Sequence, residues 1–305
     1  MTSPVSETAI SPQAGMDAVT LRVGDLEAMT GYYADALALE PLEEAARGRE
    51  VHRVLGRAGT PMVKFVSTPD LPAGSRRQAG LFHTAFLFET EESLAAAVAH
   101  AAANTNSRFL ASQDHLVSQA FYFSDPEGNG IELYVDRDRS QWGRTPDGEI
   151  AMDSIAFDPD AFLTRHLESG ALDHTAQLPG VVGHVHLQVG DLDRARDFYV
   201  GALGFETTHT AMRGAIFASA GGYHHHVAMN TWNSLGAGPR AASLGLGDLA
   251  ITVPGREDLD ALIARLISRS LTFADDGRTV RLNDPWGTQV TVAVGASSIE
   301  ETLER

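Results

Sequence analysis

The sequence of 305 residues contains no cysteine. Disulfide bonds, thiolate metal sites and a cysteine nucleophile are therefore excluded, and any metal would have to be bound by histidine, carboxylate or neutral oxygen ligands. Basic residues are also few, because 23 Lys and Arg stand against 40 Asp and Glu, for a formal net charge of −17. No Lys/Arg-rich run offsets this charge, which argues against nucleic acid as a partner.

Long apolar runs are absent as well, since none approaches the roughly 20 residues that a membrane-spanning helix needs. Residues 1–15 are polar, contain Pro4 and Pro12, and have no apolar segment of their own. We therefore expect a disordered tail over residues 1–15, no membrane partner and a cytoplasmic location.

The chain repeats itself after about 165 residues. The string AVTLRVGDL at residues 18–26 returns as HVHLQVGDL at residues 184–192, and each copy precedes a helical stretch with an aromatic pair, Tyr32-Tyr33 or Phe198-Tyr199. The apolar strand positions are kept, whereas Ala18 is matched by His184 and Thr20 by His186. The repeat thus indicates a duplicated domain in which the two copies differ in chemistry.

Each half divides again into a strand, a helix and several further strands. We therefore predict an α+β chain of four βαβββ modules, at residues 17–68, 81–135, 183–232 and 248–294. The predicted organisation is an N-terminal domain at 16–137, a connector at 138–180 with a short helix at 159–168, and a C-terminal domain at 181–296.

This pattern resembles the vicinal oxygen chelate (glyoxalase/bleomycin resistance/extradiol dioxygenase) superfamily, in which paired βαβββ modules curl into cup-shaped mixed sheets around a metal. The strings that carry the resemblance are HVHLQV at 184–189, GGYHHH at 221–226 and SDPEGNGIE at 124–132. Within that superfamily the chain is most similar to the four-module bacterial catechol 2,3-dioxygenases. The resemblance implies an extradiol dioxygenase that uses Fe(II), or Mn(II), with O2 and a small aromatic diol as substrates. It leaves open whether the protein is a homo-oligomer.

Candidate metal ligands come from strand alternation and from the resemblance. Alternation places His184, His186 and Gln188 on one strand face, towards the predicted cup. By position in the repeat, the resemblance assigns His83, Glu132 and His184 as the ligands. Two imidazoles and one carboxylate form the facial triad of non-haem Fe(II) oxygenases. The alternative is an ordinary buried or surface histidine at each position and an exposed carboxylate at Glu132.

The matching positions of modules one and four carry Ala18, Asp248 and Thr291. We therefore predict one metal site per chain, between modules two and three. This departs from the usual extradiol pattern, in which modules three and four supply all the ligands, and it leaves the pairing of the modules open.

The resemblance also suggests residues for proton transfer and substrate binding. String alignment assigns a proton-shuttling histidine to His225, whereas strict alternation turns His224 and His226 towards the cup. The run could also be a solvated strand end or an adventitious metal site. In module two, His115 and Tyr122 match a substrate-contacting histidine and a tyrosine that hydrogen-bonds the ligating oxygen. Tyr122 could equally be a half-buried strand aromatic. We expect the substrate-binding residues to be His186, His224 and His226.

Two other functions are open to the same fold. A second carboxylate or Gln ligand would favour a glyoxalase-type metal-dependent isomerase or lyase, and Ala18 at that position of module one argues against it. A non-catalytic protein that binds aromatic compounds usually lacks the triad, so the three candidate ligands argue against that function too.

Overall fold

The computed structural model describes residues 9–305, apart from the side chains of residues 173 and 174. Its strands form two sheets of nine strands each, and helices account for a minority of the chain. This mixed architecture confirms the predicted α+β class. No helix among the described residues is long and apolar enough to cross a bilayer.

The first half of the chain contributes nine strands. They are β1 (Gly15–Met16), β2 (Val19–Val23), β3 (Glu40–Arg47), β4 (Glu50–Arg57), β5 (Thr60–Ser67), β6 (Gly80–Phe88), β7 (Arg108–Asp114), β8 (Ser118–Ser124) and β9 (Gly130–Asp136). The second half contributes the other nine. They are β10 (Ile155–Ala156), β11 (Val181–Gln188), β12 (Glu206–His209), β13 (Ala215–Ser219), β14 (Val227–Asn230), β15 (Gly245–Val253), β16 (Ala274–Asp275), β17 (Thr279–Asn283) and β18 (Gln289–Val294).

The helices are α1 (Leu26–Leu37), α2 (Glu91–Ala103), α3 (Pro159–His166), α4 (Leu192–Arg196), α5 (Arg256–Ser268) and α6 (Ile299–Glu304). The repeated Gly-Asp-Leu string marks two of their starts, because the side chains of Asp25 and Asp191 accept hydrogen bonds from backbone N–H groups of the first turn. Helix α4 continues into a π-helical turn at Asp197–Ala202, and short 3-10 turns lie at Arg139–Gln141 and Ala171–Gln177.

Each sheet contains strands from both halves of the chain. The first sheet has the order β16-β17-β18-β15-β2-β5-β4-β3, with β1 paired to β15, and so joins modules one and four. The second has the order β10-β7-β8-β9-β6-β11-β14-β13-β12 and joins modules two and three. Each sheet thus contains strands from both predicted domains, residues 16–137 and 181–296. The boundaries of these domains stay a prediction.

The core and the functional face lie on opposite sides of the central strands. In β11, Val185 and Leu187 belong to the main hydrophobic core together with Phe198 and Tyr199 of the helical segment that follows. Because successive side chains of a strand point to opposite faces, the core packing of these residues turns His184 and its alternate neighbours towards the other face.

Parts of the predicted tail and of the connector belong to the folded structure. Residues 1–8 of the predicted disordered tail lie outside the described residues, but Ile10 and Ala14 are buried, and the N–H of Ile10 donates to the carbonyl of Gly204 at 2.8 Å. The connector is also structured. It contains α3 within the predicted helix 159–168, and β10, which pairs with β7.

Candidate metal centre and its cavity

Three neighbouring strands of the second sheet bring the predicted metal ligands together. His83 lies on β6, Glu132 on β9 and His184 on β11, and β6 is the middle strand of the three. In the ladder, Ala85 pairs with Glu132 on one side and with His184 on the other. The small, fully buried Ala85 therefore separates the two longer side chains without filling the space between them.

The three side chains converge on one carboxylate oxygen. Glu132 Oε2 lies 2.9 Å from His83 Nε2 and 3.1 Å from His184 Nε2, and the three candidate ligand atoms are within 4.8 Å of one another. All three residues are buried. His83 Nε2 is buried yet has no hydrogen-bond partner of acceptable geometry. A buried nitrogen without a partner is costly in the protein alone, and a metal ion would satisfy it.

The charge states also suit a metal. Burial alone would raise the pKa of Glu132, but His184 and His83 outweigh it and hold the pKa well below its usual range. Burial lowers the pKa of His184 to about 4, against the opposing effect of Glu132. At neutral pH the cluster therefore offers an ionised carboxylate and a neutral His184 imidazole, which are the forms that bind a divalent cation. The group could hold a metal.

Glycine permits the close strand contacts beside the cluster. A Cβ on Gly130 would lie 2.1 Å from the carbonyl oxygen of Phe82, and one on Gly183 would lie 1.8 Å from Tyr134 Oη. The Tyr134 hydroxyl occupies that space and hydrogen-bonds the Tyr223 hydroxyl at 2.8 Å. These two glycines allow the backbones next to His83 and His184 to approach their neighbours.

His115 links Tyr122 to the connector. Its Nδ1 lies 2.7 Å from the carbonyl oxygen of Asp153, and its Nε2 lies 2.7 Å from Tyr122 Oη. A carbonyl only accepts, so Nδ1 carries the proton, and Nε2 of the neutral ring accepts from the Tyr122 hydroxyl. Tyr122 pairs with Glu132 in the β8–β9 ladder. Desolvation and the Glu132 charge raise the pKa of Tyr122 well above its usual value, which keeps the phenol protonated.

The three-histidine run lies before β14 and not within it. The strand begins at Val227, and the preceding turn contains Gly221 and Gly222 at φ of +60° and +68°. Strand alternation therefore does not govern the directions of these histidines. His225 lines the cavity described below, whereas His224 and His226 do not.

Hydrogen bonds explain why the three histidines diverge. His224 Nε2 lies 2.8 Å from Asp136 Oδ1, and His224 Nδ1 lies 2.8 Å from His225 Nδ1. With Asp136 accepting, Nδ1 of a neutral His224 ring accepts from His225 Nδ1, which leaves Nε2 of His225 unprotonated. His226 instead accepts at Nδ1 from the N–H of Ala220 at 3.2 Å. Asp136 was not predicted from the sequence, although alternation from Glu132 places it on the same strand face.

A cavity of about 400 Å³ adjoins the cluster. Its polar lining includes His83, Glu132, His115, Tyr122, His186 and His225. His186 is buried and lies with Nε2 3.0 Å from the amide nitrogen of Asn230, which donates to it. Most of the remaining lining is apolar, namely Leu81, Phe82, Leu110, Ala111, Phe123, Ile131, Met152, Met212, Phe217 and Trp232. The cavity therefore has a polar zone at the candidate ligands and an apolar remainder.

The family model for the Glyoxalase/Bleomycin resistance protein/Dioxygenase superfamily matches residues 15–133 and 181–291. The chain belongs to this superfamily. It is 32% identical over 282 residues, covering 91% of this chain and 96% of the relative, to a protein of Bacillus subtilis (strain 168) named catechol-2,3-dioxygenase. The resemblance stated from the sequence is thereby confirmed at the level of the superfamily.

Solved structures show the same superfamily fold. A putative dioxygenase from Bacillus subtilis has a TM-score of 0.59 at 16% identity, covering 95% of this chain and 88% of its own. Glyoxalase I from Zea mays has a TM-score of 0.56 at 15% identity, covering 92% of both chains. At these identities the likeness extends to the fold alone.

The first sheet contains an equivalent of the candidate metal centre, formed around Asp248, Thr291 and Ala18. We call this equivalent the second cup. Asp248 pairs with Thr20 as His83 pairs with His186, and Ala250 pairs with Thr291 as Ala85 pairs with Glu132. The guanidinium of Arg305 lies there, with Nε 3.4 Å from Asp248 Oδ2. Among the described residues, three potential ligand side chains cluster only at His83, Glu132 and His184.

Proposed function

We propose that the protein is a metal-dependent extradiol dioxygenase that adds both atoms of O2 to a catechol-type ring, next to its diol. The observation that carries the proposal is the buried group of His83, Glu132 and His184 beside a cavity that also exposes His225 and Tyr122. The name of the Bacillus subtilis relative supports the same activity. A homo-oligomeric state and a cytoplasmic location stay predictions.

His83, Glu132 and His184 would hold the metal. Two histidines and one carboxylate suit Fe(II), and Mn(II) is compatible with the same ligands. When bound, the metal would act as a Lewis acid towards the diol and as the redox centre for O2. The fit is supported by the buried His83 Nε2, which makes no hydrogen bond of acceptable geometry, and by the charge states of Glu132 and His184.

The proposed proton-transfer groups lie on two sides of the cavity. His225 accepts a proton at Nε2, because its Nδ1 is engaged by His224. Burial lowers the pKa of His225 well below its usual value, so the ring is neutral and able to accept. Tyr122 keeps its proton and donates to His115, which fixes the phenol next to Glu132. His186 is proposed to contact the substrate. His224 hydrogen-bonds His225, and His226 does not line the cavity.

The test begins with the metal content of protein purified without a His tag. The protein is then loaded anaerobically with Fe(II), and O2 uptake is measured with catechol and simple substituted catechols. We expect about one metal per chain, one O2 consumed per ring and a yellow ring-opened product. One tightly bound metal without O2 uptake would favour an isomerase. Absence of bound metal would favour a non-catalytic protein that binds aromatic compounds.

A pair of isosteric variants isolates the site. Glu132→Gln and Asp248→Asn each remove one buried carboxylate, from the candidate metal centre and from the second cup respectively. We expect Glu132→Gln to lose metal and turnover, and Asp248→Asn to keep both. Normal metal content in Glu132→Gln would contradict the assigned site.

A further inference from the structure

Apolar side chains extend from the candidate metal ligands to the exposed end of the cavity. The ring of Phe82 lies 5.4 Å from that of His83, 4.9 Å from that of His186 and 5.3 Å from that of Trp232, measured between centroids. Met212 lines the same cavity. We call Phe82, Met212 and Trp232 the apolar wall. A substrate chelated at the ligands would therefore have apolar surface beside it along the way out.

The outer end of this wall is uncovered. Trp232 is 43% exposed and Leu110, another lining residue, is 45% exposed. The indole N–H of Trp232 already donates to the carbonyl of Arg213 at 3.0 Å, so its polar atom is satisfied within the chain. What Trp232 offers to the cavity is apolar surface, which gains free energy only when an apolar group covers it.

The charges of the cavity oppose an acidic substituent. The only Lys or Arg among the lining residues is Arg76, which is exposed, and Asp153, also exposed, adds a negative charge. A carboxylate placed against the apolar wall would lose water without gaining a counter-ion there. The cavity of about 400 Å³ lies in the range of pockets that hold drug-sized ligands, roughly 300–1,000 Å³, and exceeds the needs of a single unsubstituted ring.

We infer that the substrate is a catechol with an apolar alkyl or aryl substituent, which packs against Phe82, Met212 and Trp232. This inference rests on the proposed function, because the diol must be held at the candidate metal centre for the substituent to reach the wall. It excludes catechols whose substituent ends in a carboxylate as preferred substrates.

The experiment compares two series on the Fe(II)-loaded protein. The apolar series is catechol with methyl, ethyl, tert-butyl and phenyl substituents at the 3- or 4-position, and the acidic series is 3,4-dihydroxybenzoate and 3,4-dihydroxyphenylacetate. We expect kcat/KM to rise along the apolar series, by up to about fourfold for each buried methylene. The acidic compounds should fall below catechol. Anaerobic binding, followed by tryptophan fluorescence, provides a readout that does not depend on turnover.

Variants of the apolar wall test where the substituent of the catechol binds. Trp232→Ala should lower kcat/KM for the phenyl and tert-butyl compounds by a larger factor than kcat/KM for catechol, and so remove most of their advantage. Met212→Gln, a nearly isosteric change, should do the same to a smaller extent if Trp232→Ala folds poorly. Leu235→Ala is the matched control, since Leu235 is 79% exposed on the same segment and is not part of the cavity lining.

The outcomes separate this inference from the proposed function. O2 uptake with a flat apolar series, or with a preference for the acidic compounds that Arg76→Ala abolishes, would overturn the inference and keep the dioxygenase. A uniform effect of Trp232→Ala on every compound would also overturn it. Absence of O2 uptake with all compounds would refute the proposed function, while tighter anaerobic binding along the apolar series would still support the wall.

Discussion

Replacing Arg305 by Met tests whether the second cup needs a fixed cation. The Arg305 side chain is 2% exposed, and its Nη1 lies 2.9 Å from Asp17 Oδ2 while its Nε lies 3.4 Å from Asp248 Oδ2. Both carboxylates are buried, so the variant leaves two acids without their shared partner, although Met keeps part of the apolar stem. Breaking a buried ion pair from one side costs about 3–5 kcal/mol.

The assay is guanidinium chloride unfolding at pH 7, with chelator present so that a metal in the other sheet does not contribute. Arg256→Met is the matched control, because Arg256 pairs with Asp260 and Asp275 at the surface, where such pairs contribute about 1 kcal/mol or less. Adding Asp248→Asn to Arg305→Met should recover part of the loss. A loss no larger than that of the Arg256 control would refute the argument.

Three further predictions concern other parts of the molecule. Burial lowers the pKa of Lys64 from 10.5 to about 8, so the unfolded chain binds more protons between those pH values and stability should rise with pH there. Lys64→Met should flatten that rise, by at most about 3 kcal/mol in denaturant titrations, and an unchanged slope would count against it. Asp136→Asn should lower kcat roughly tenfold to a hundredfold at unchanged metal content, with partial rescue by Asp136→Glu; normal kcat would remove the role of His224. Gly183→Ala should lower the melting temperature, since its Cβ meets Tyr134 Oη, and Tyr134→Phe should relieve little of this because the ring stays in place.

The regular strands of the repeat could be predicted from the sequence because their patterns are strong. Alternation in residues 184–188 correctly separates core positions from site positions, since β11 is a continuous strand against the core. The equivalence of Asp248 with His83 could also be predicted from the sequence, because the repeat keeps the register of each module. Sheet pairing confirms it, as both residues face the corresponding position of the opposing central strand.

Strands β3 and β7 carry little apolar pattern in the sequence. β3 has the sequence EPLEEAAR with every side chain half-buried or exposed, and it forms the edge of the first sheet. β7 is flanked only by the two-residue β10 on its outer side. Edge strands are commonly polar or charged, which protects them from pairing with other chains but removes the periodic signal.

The details of the site depend on contacts between distant segments. The tautomer of His225 depends on Asp136 through His224, and that of His115 on the carbonyl of Asp153 in the connector. None of these pairs is visible as a spacing in the sequence. The direction of His225 could not be predicted either, because it follows from a turn with two left-handed glycines and not from a strand.

The two sheets meet one electrostatic demand in different ways. In each, a carboxylate at a matching place is nearly inaccessible to water, Glu132 in one and Asp248 in the other. An ionised carboxylate is stable there only beside positive charge. Around Asp248, burial is the largest effect and leaves the pKa raised, while the positive charges of Arg305 and Lys64 oppose it. Glu132 faces imidazoles, and burial lowers the pKa of His184 to about 4, so that ring is neutral at pH 7. With His184 neutral, Glu132 has less fixed positive charge beside it than Asp248 has from Arg305 and Lys64, and a divalent metal would provide that charge. Removal of a bound metal by a chelator should therefore destabilise the sheet that contains Glu132, whereas loss of Arg305 should destabilise the sheet that contains Asp248.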